Sequence, residues 1–251
     1  MSYQKMAALY DQLMEDAPYD SWQVFTEKVF DNFGVNVSTI VDLGCGTGEI
    51  TTRLAKRGYQ MIGVDFSVDM LTIAEQKASK QNLAVQWLHQ DLREIEGLEQ
   101  FDAAISYCDV INYITEENDL EKVFQNVFQS LKDGGIFIFD IHSLHHIEQH
   151  LINHTFADVT DESSYIWYCS EGDHPGEMYH DLTFFALDHD NKYSRFDETH
   201  HQRSYPIPVY EELLEKSGFI NINFYGDFTL ENKDLHEATE RIFITAEKRS
   251  R

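Results

Sequence analysis

Short apolar runs alternate with amphipathic stretches along the first 140 residues of the chain. The runs predict strands at residues 39–43, 60–65, 84–88, 101–107 and 136–140. The clearest helical periodicity between them is formed by Leu120, Val123, Phe124, Val127, Phe128 and Leu131. Strands that alternate with helices form parallel sheets with right-handed crossovers. The pattern therefore predicts an α/β protein, with two later strands at 219–225 and 241–247.

A different pattern lies between residues 158 and 205. Three stretches there, at 165–170, 178–188 and 192–205, are rich in aromatic residues and threonine and read as strands. They are separated by turn-forming residues at 172–176 and 188–191. We therefore expect an antiparallel sheet inserted after the fifth strand. At the other end of the chain, residues 4–14 and 19–33 are predicted to form two helices.

The stretch that follows the first strand carries three glycines at alternate positions, Gly44, Gly46 and Gly48. Glycine tolerates positive φ and lets a ligand lie against bare backbone. A turn between a strand and a helix also points helix-start N–H groups into the crevice. Because open α/β sheets bind ligands at the carboxyl ends of their strands, this turn is predicted to hold a small ligand.

The spacing of these glycines limits which ligand that is. The dinucleotide pattern needs a glycine or alanine at position 49, where this chain has Glu49, whose charge would repel a pyrophosphate. A phosphate-binding P-loop is excluded because no Gly-Lys-Ser/Thr follows. What remains is G-x-G-x-G with Asp42 two residues upstream.

This arrangement resembles motif I of the S-adenosylmethionine-dependent methyltransferases with a Rossmann-like fold. The resemblance covers about residues 37–140 and 206–248. It implies a doubly wound, mostly parallel seven-stranded sheet with helices on both faces, whose last strand is inserted antiparallel. We expect an N-terminal helical cap at 1–36, a cofactor-binding core at 37–150 and 206–251, and an inserted antiparallel β lid at 151–205 on the substrate side.

The resemblance implies S-adenosylmethionine as the cofactor, and it assigns site residues at successive strand ends. Asp65 ends the second strand, where a carboxylate can accept both ribose hydroxyls, although it could instead cap the next helix. The remaining implied cofactor contacts are Tyr10, Tyr19, Asp42, Gly44, Cys45, Gly46, Phe66, Met70, Asp91, Leu92, Tyr107 and Asp109. Of these, Phe66 and Met70 would flank the adenine, and Asp91 with the Leu92 N–H would bind its edge.

The amino-acid composition limits the classes of substrate and partner that we expect for this protein. The chain has 251 residues with 19 Lys and Arg against 44 Asp and Glu, a formal charge of −25. Such a surface repels phosphate backbones, so a nucleic-acid substrate is not expected. No apolar run suggests a membrane span, and the N-terminus lacks a secretory signal. Three cysteines far apart suggest reduced thiols in a cytoplasmic protein. We expect a small-molecule acceptor and a monomer or homodimer.

Candidates for a general base are histidines near the predicted crevice. In the last lid strand His200 and His201 point to opposite faces, so only one of them can face the pocket. We favour His201, with Arg203 orienting the acceptor, although both could be exposed sheet residues. His142, just after the fifth strand, is a further candidate. It also begins a spacing with His146 and His150, but no complete ligand motif follows, so no metal is predicted.

The favoured function is therefore methyl transfer from S-adenosylmethionine to a small molecule by in-line displacement. An NAD-type oxidoreductase and a cofactor-binding regulatory module without turnover remain the alternatives. The residues do not distinguish oxygen, nitrogen or carbon as the methylated atom.

Overall fold

The computed structural model describes residues 14, 17–34, 36–187, 192–230, 235 and 238–249. Its main sheet has seven strands in the order β10-β11-β5-β4-β1-β2-β3. The five strands β1 to β5 are parallel to one another, while β11 runs antiparallel to both β5 and β10. These strands are β1 (Thr39–Leu43), β2 (Gln60–Asp65), β3 (Val85–His89), β4 (Phe101–Ser106), β5 (Leu131–His142), β10 (Phe219–Gly226) and β11 (Arg241–Lys248).

Helices cover both faces of this sheet because its central strands are apolar on both sides. On β1, Ile40 packs with the helices of one face and Val41 with those of the other. The helices are α1 (Tyr19–Phe33), α2 (Glu49–Lys56), α3 (Val68–Lys80), α4 (Glu117–Ser130) and α5 (Ile207–Ser217). Short 3-10 turns at Leu92–Glu94 and Val110–Tyr113 follow β3 and β4, and helical turns span residues 144–151. The doubly wound architecture predicted from the sequence is confirmed.

A second, antiparallel sheet lies between β5 and α5 in the chain. Its order is β6 (Thr155–Val159), β7 (Ser163–Glu171), β8 (Glu177–Leu187) and β9 (Tyr193–Arg203). β7, β8 and β9 correspond to the three predicted strands. β6 was not predicted, because it is short and largely exposed and carries no apolar alternation. We call this four-stranded unit the inserted sheet.

The two faces of the inserted sheet differ in burial. One face, the inner face, carries Met178, His180, Phe184 and Gln202, all of which are buried. The opposite, outer face carries exposed polar residues such as Asp181, Asp197 and Thr199. Within the part of the chain that the structure describes, no helix is long and apolar enough to span a bilayer.

Candidate active site

The turn after β1 is held to the end of β2 by its own backbone. The N–H groups of Gly44 and Cys45 both donate to the Val64 carbonyl, at 2.8 and 3.0 Å, and the Gly46 N–H donates to Asp65. These three N–H groups therefore hold the turn against β2 and are not available to a ligand. What the turn presents is bare backbone: Gly46 has φ +53°, and nothing lies within 4 Å of where its Cβ would be.

Gly44 has a different reason to be glycine. A Cβ at this position, where φ is +77°, would lie 2.4 Å from a methyl group of Val110 in the turn after β4. The loops that follow β1 and β4 therefore touch at Gly44, whereas the space beside Gly46 stays open. This open, glycine-lined face is the feature that a flat adenosyl ligand would need.

Asp65 joins the glycine turn to α3. Its Oδ2 atom accepts the Gly46 N–H and its Oδ1 atom accepts the Ser67 N–H, both at 2.8 Å. Ser67 then caps α3 by accepting the Met70 N–H. Burial raises the pKa of Asp65, while the two backbone donors oppose that rise. Each carboxylate oxygen has further acceptor capacity, so both roles considered for Asp65, helix entry and ribose binding, are compatible with this geometry.

Asp42 lies beneath the turn and is buried. The pKa of Asp42 is raised to about 7, mainly by burial and in part by the negative charge of Asp65. A hydrogen bond of 2.5 Å from the Thr51 hydroxyl opposes this rise. Two carboxylates that disfavour each other's ionisation make a site that a cation would stabilise. Because its side chain is buried, Asp42 acts on that site through its charge and through its hydrogen bond with Thr51.

The charge of Glu49 is compensated by two neighbouring cations. Its carboxylate pairs with Arg53 and, at 2.6 Å, with Lys77. Burial alone would raise the pKa of Glu49, but these two cations lower it. Because Arg53 and Lys77 compensate its charge, Glu49 would repel a pyrophosphate less than we expected. The glycine spacing is therefore the remaining evidence against a dinucleotide.

The predicted adenine contacts flank the end of β2 and β3. The Phe66 ring is 74% exposed, although large apolar side chains are usually buried, and so it is available to cover a flat ring. Met70 lies one turn into α3 and is partly buried. Asp91 accepts four hydrogen bonds of 2.6–3.2 Å from the backbone and guanidinium of Arg93, and Leu92 beside it is buried. An adenine amine would therefore share Asp91 with Arg93.

Three other predicted cofactor contacts lie inside the protein. Tyr107 is buried and donates to the Thr26 hydroxyl at 2.6 Å, because the Thr26 hydrogen is already donated to the Trp22 carbonyl. Tyr19 is buried against Trp22. The Tyr107 side chain therefore packs between β4 and α1, and the role of Tyr107 as a cofactor contact stays a prediction. The Cys45 thiol, whose pKa burial raises, packs beside Gly63. Tyr10 lies outside the described residues.

The end of β4 carries a cluster of buried charges. Cys108 and Asp109 both have positive φ, 59° and 53°, which turns the Asp109 side chain towards β11. Arg241 at the start of β11 donates to Asp109 at 3.1 Å and to Asp140 at 3.0 Å. Asp140 also accepts the Trp22 indole N–H at 2.7 Å, and its burial is complete. Arg241 therefore neutralises two carboxylates at the carboxyl ends of adjacent strands.

His142 borders this cluster. Its Nε2 atom is 3.4 Å from Asp109, and its ring stacks on that of His146. Burial lowers the pKa of His142 to about 3, despite the opposing charge of Asp109. The ring is therefore neutral near pH 7 and is a weak proton acceptor. A cavity of about 230 Å³ adjoins it, lined by Pro18, Trp22, His142, His146, Asp227, Phe228, Glu240 and Arg241.

A series of hydrogen bonds connects Asp109 to the inserted sheet. The Gln202 amide N–H donates to Asp109 at 2.8 Å, and its carbonyl oxygen contacts His180 Nε2 at 3.0 Å. His180 Nδ1 accepts the Trp167 indole N–H at 2.9 Å, which fixes the neutral ring with its proton on Nε2. The inner face of the inserted sheet thus meets the turn after β4.

This geometry corrects the choice between the two adjacent histidines. His201 lies on the outer face, stacked on Tyr179 at 4.4 Å and bonded to Glu177 at 2.7 Å. His200 lies on the inner face, where Nδ1 contacts the Tyr113 hydroxyl at 3.1 Å. On the outer face, the His201 ring is stabilised by stacking on Tyr179 and by its hydrogen bond with Glu177.

Arg203, the other favoured residue of β9, packs against Tyr205. Its guanidinium covers the Tyr205 ring at 4.4 Å, and Nη1 points to the Thr115 carbonyl at 3.5 Å. Among the described residues, no partner accepts a hydrogen bond from its buried Nε.

Sequence reasoning missed several residues of this site. Asp140 had a signal, because an otherwise apolar strand ends in a carboxylate. Arg241 had none, since its partners lie 101 and 132 positions away in the chain. The sequence placed Tyr113 only in a loop, and it placed Glu198 and Gln202 only on one face of a strand.

The residues around the glycine turn fit the cofactor implied by the resemblance. The ligand is a cation with a ribose and a flat base, and the turn provides two mutually destabilised carboxylates, an open backbone face and an exposed aromatic ring.

Comparison with known proteins agrees with this geometry. Residues 40–135 match a family model described as "Methyltransferase domain". The chain is 41% identical to the "Putative methyltransferase YqeM" of Bacillus subtilis, over 99% of this chain and 98% of that protein. It is 39% identical to the "Putative methyltransferase GWCH70_2453" of a Geobacillus strain, over 99% and 100% of the two chains.

A solved structure supports the same assignment. It is an S-adenosylmethionine-dependent methyltransferase from Clostridium acetobutylicum, 32% identical, with a TM-score of 0.88 over the whole of both chains. The architecture, the glycine turn and these relatives together show that the chain belongs to the class I S-adenosylmethionine-dependent methyltransferases.

Proposed function

We propose that this protein binds S-adenosylmethionine at the glycine turn and transfers its methyl group to a small molecule. The observation that carries the proposal is the open backbone face at Gly46, closed off at one side by Asp65. Asp65 would hold the ribose, Phe66 would cover the adenine, and Asp91 with Leu92 would bind its edge. The bound cofactor supplies an electrophilic methyl carbon on a sulfonium.

The acceptor would lie between the turn after β4 and the inner face of the inserted sheet. Gln202 and Asp109 fix these two elements to each other, so an acceptor held there keeps one orientation. Positioning of this kind contributes about 7–11 kcal/mol to reactions between two bound groups. The expected division into a cap, a core and a substrate-side lid is part of this proposal.

A small acceptor follows from charge and enclosure. Residues 158–204 carry 11 acidic and 3 basic side chains, which disfavours anionic polymers. To test this, the protein is incubated with methyl-tritiated S-adenosylmethionine and an extract of bacterial cells. After chromatographic separation from unreacted S-adenosylmethionine, we expect protein-dependent label in the fraction that passes a small-pore filter. Label retained with protein or nucleic acid would contradict a small acceptor. No transfer to any fraction would favour the regulatory alternative.

A further inference from the structure

Three polar side chains meet where the turn after β4 lies against the inner face of the inserted sheet. The Tyr113 hydroxyl lies 3.1 Å from His200 Nδ1, and His200 Nε2 lies 3.3 Å from the Glu198 carboxylate. The Tyr113 and His200 rings meet edge to face at 74°, with centroids 5.8 Å apart. When Nδ1 accepts the phenolic proton, Nε2 carries the ring proton and faces Glu198. The phenolic proton of Tyr113 can therefore pass to His200, and the Glu198 carboxylate lies close enough to stabilise the resulting imidazolium by its charge.

The relay has an open end and a covered end. Tyr113 is 45% exposed, whereas the Glu198 side chain is only 12% exposed. Tyr113 ends the turn that follows β4, where a substrate would approach the cofactor. Desolvation raises the pKa of the Tyr113 hydroxyl, as do the carboxylates of Asp109, Glu198 and Asp65. It therefore stays a phenol near pH 7 and can pass a proton on without holding a negative charge.

The groups that face His200 are carboxylates and neutral side chains. Glu198 and Gln202 are its neighbours on β9, His180 faces it from β8, and Tyr113 with Asp109 faces it from the turn after β4. Burial lowers the pKa of His180, so that ring is neutral. The nearby cation Arg241 is already held between Asp109 and Asp140. Glu198 and Asp65 therefore add negative charge near the Tyr113 hydroxyl.

We propose that Tyr113, His200 and Glu198 form a proton relay that binds an alkylammonium acceptor and removes its proton. The ammonium proton passes to the Tyr113 oxygen while the phenolic proton passes to His200 Nδ1, and Glu198 balances the imidazolium. The free amine then uses its electron pair to bond the methyl carbon, as the carbon–sulfur bond breaks towards sulfur. His200 releases its proton to solvent. The proposal rests on the proposed function and assigns an amine as its acceptor.

Nuclear magnetic resonance on the protein without cofactor tests both halves of the proposal. Long-range nitrogen–proton spectra report which ring nitrogen of His200 carries the proton, and we expect Nε2. The ligand probes are n-butylammonium and n-butanol, which have the same carbon chain. We expect the ammonium to shift the His200 and Tyr113 signals saturably and to bind about tenfold more tightly than the alcohol, the ratio for one favourable ionic contact.

Two variants of neighbouring carboxylates on β9 provide the comparison. Glu198→Gln should remove the preference for the ammonium, whereas Asp197→Asn, on the outer face, should keep it. A proton on Nδ1, or an ammonium that binds no more tightly than the alcohol, would overturn the proposal. The wild-type measurement alone decides this, even if a variant fails to fold. Titration of the same sample with S-adenosylmethionine tests the proposed function separately.

Discussion

The Gln202 amide donates a hydrogen bond of 2.8 Å to the Oδ2 atom of Asp109, and so joins β9 to the turn after β4. Gln202 is buried, and its oxygen contacts His180. Two parts of the chain that are 93 positions apart are thereby fixed at the site where the acceptor is expected. The fold of the inserted sheet and the geometry of the site are therefore coupled.

Replacing Gln202 with leucine should destabilise the protein because its partners, the buried His180 and the partly buried Asp109, lose their hydrogen bonds. We expect a loss of about 1–3 kcal/mol in the free energy of unfolding, the cost of leaving buried polar groups unsatisfied. Thr199→Val, which removes an exposed hydrogen bond to Asp181, is the control and should change stability by less than about 0.5 kcal/mol. Urea denaturation measures both. An equal loss of unfolding free energy in the two variants would show that the hydrogen bond between Gln202 and Asp109 stabilises the protein no more than an exposed one.

Arg241 should be among the residues whose loss costs most stability. Arg241→Met leaves Asp109 and Asp140 buried without their cation, and breaking a buried ion pair in this way costs about 3–5 kcal/mol. Arg195→Met removes an exposed pair with Asp197 and should cost at most about 1 kcal/mol. Chemical denaturation distinguishes the two. A small effect at Arg241 would mean that the two carboxylates are protonated or solvated.

Gly46 and Gly34 form a matched pair for testing the cofactor surface. Both have positive φ, +53° and +63°, and both have open space where a Cβ would lie. Alanine should therefore destabilise the fold similarly at each position, by about 1–2 kcal/mol. Only Gly46→Ala should also weaken S-adenosylmethionine binding, by on the order of tenfold or more, because its methyl group enters the ligand surface. Calorimetric titration of both variants checks this, and equal affinities would place the ligand elsewhere.

Asp42 should give the protein a measurable pH dependence. Burial raises its pKa from the ordinary 3.8 to about 7, so the folded state binds this proton more tightly than the unfolded chain. The resulting stabilisation is complete below about pH 4 and is lost as the pH rises through 7. Relative to wild type, Asp42→Asn should gain up to about 1.4 kcal/mol per pH unit between pH 5 and 7.

The measurement for Asp42 is a series of urea denaturation curves from pH 5 to pH 8. The difference between the variant and the wild type isolates this carboxyl from the other titrating groups. A difference that stays constant across the series would show that Asp42 is ionised throughout. Thr51→Val provides a second comparison, since it removes the hydroxyl that favours the charged form.

Much of the fold was predictable because its central strands are buried on both sides. A run such as Ile136–Asp140 is apolar without interruption, and glycines mark the turn at 44–48. β6 escaped prediction because an exposed edge strand needs no apolar residues. The proposed cofactor residues Asp65 and Phe66 followed from their position at a strand end, and the structure places Asp65 beside Gly46.

The acceptor side was less predictable for a physical reason. On β9 both faces carry histidine and polar side chains, and the alternation alone does not say which face is covered. Tyr179 and Glu177 of the neighbouring strand satisfy His201 on the outer face. Contacts such as Arg241 with Asp109 depend on the register of distant strands, which no local pattern encodes.

The account depends most directly on ligand binding at the glycine turn. Isothermal titration of the wild type, and of Asp65→Asn, with S-adenosylmethionine and with NADH tests it. We expect the wild type to bind S-adenosylmethionine and not NADH, and Asp65→Asn to bind it about 10- to 100-fold more weakly, since hydrogen bonds to a charged group contribute about 1.5–3 kcal/mol. Binding of NADH in place of S-adenosylmethionine, or unchanged affinity in Asp65→Asn, would contradict the account.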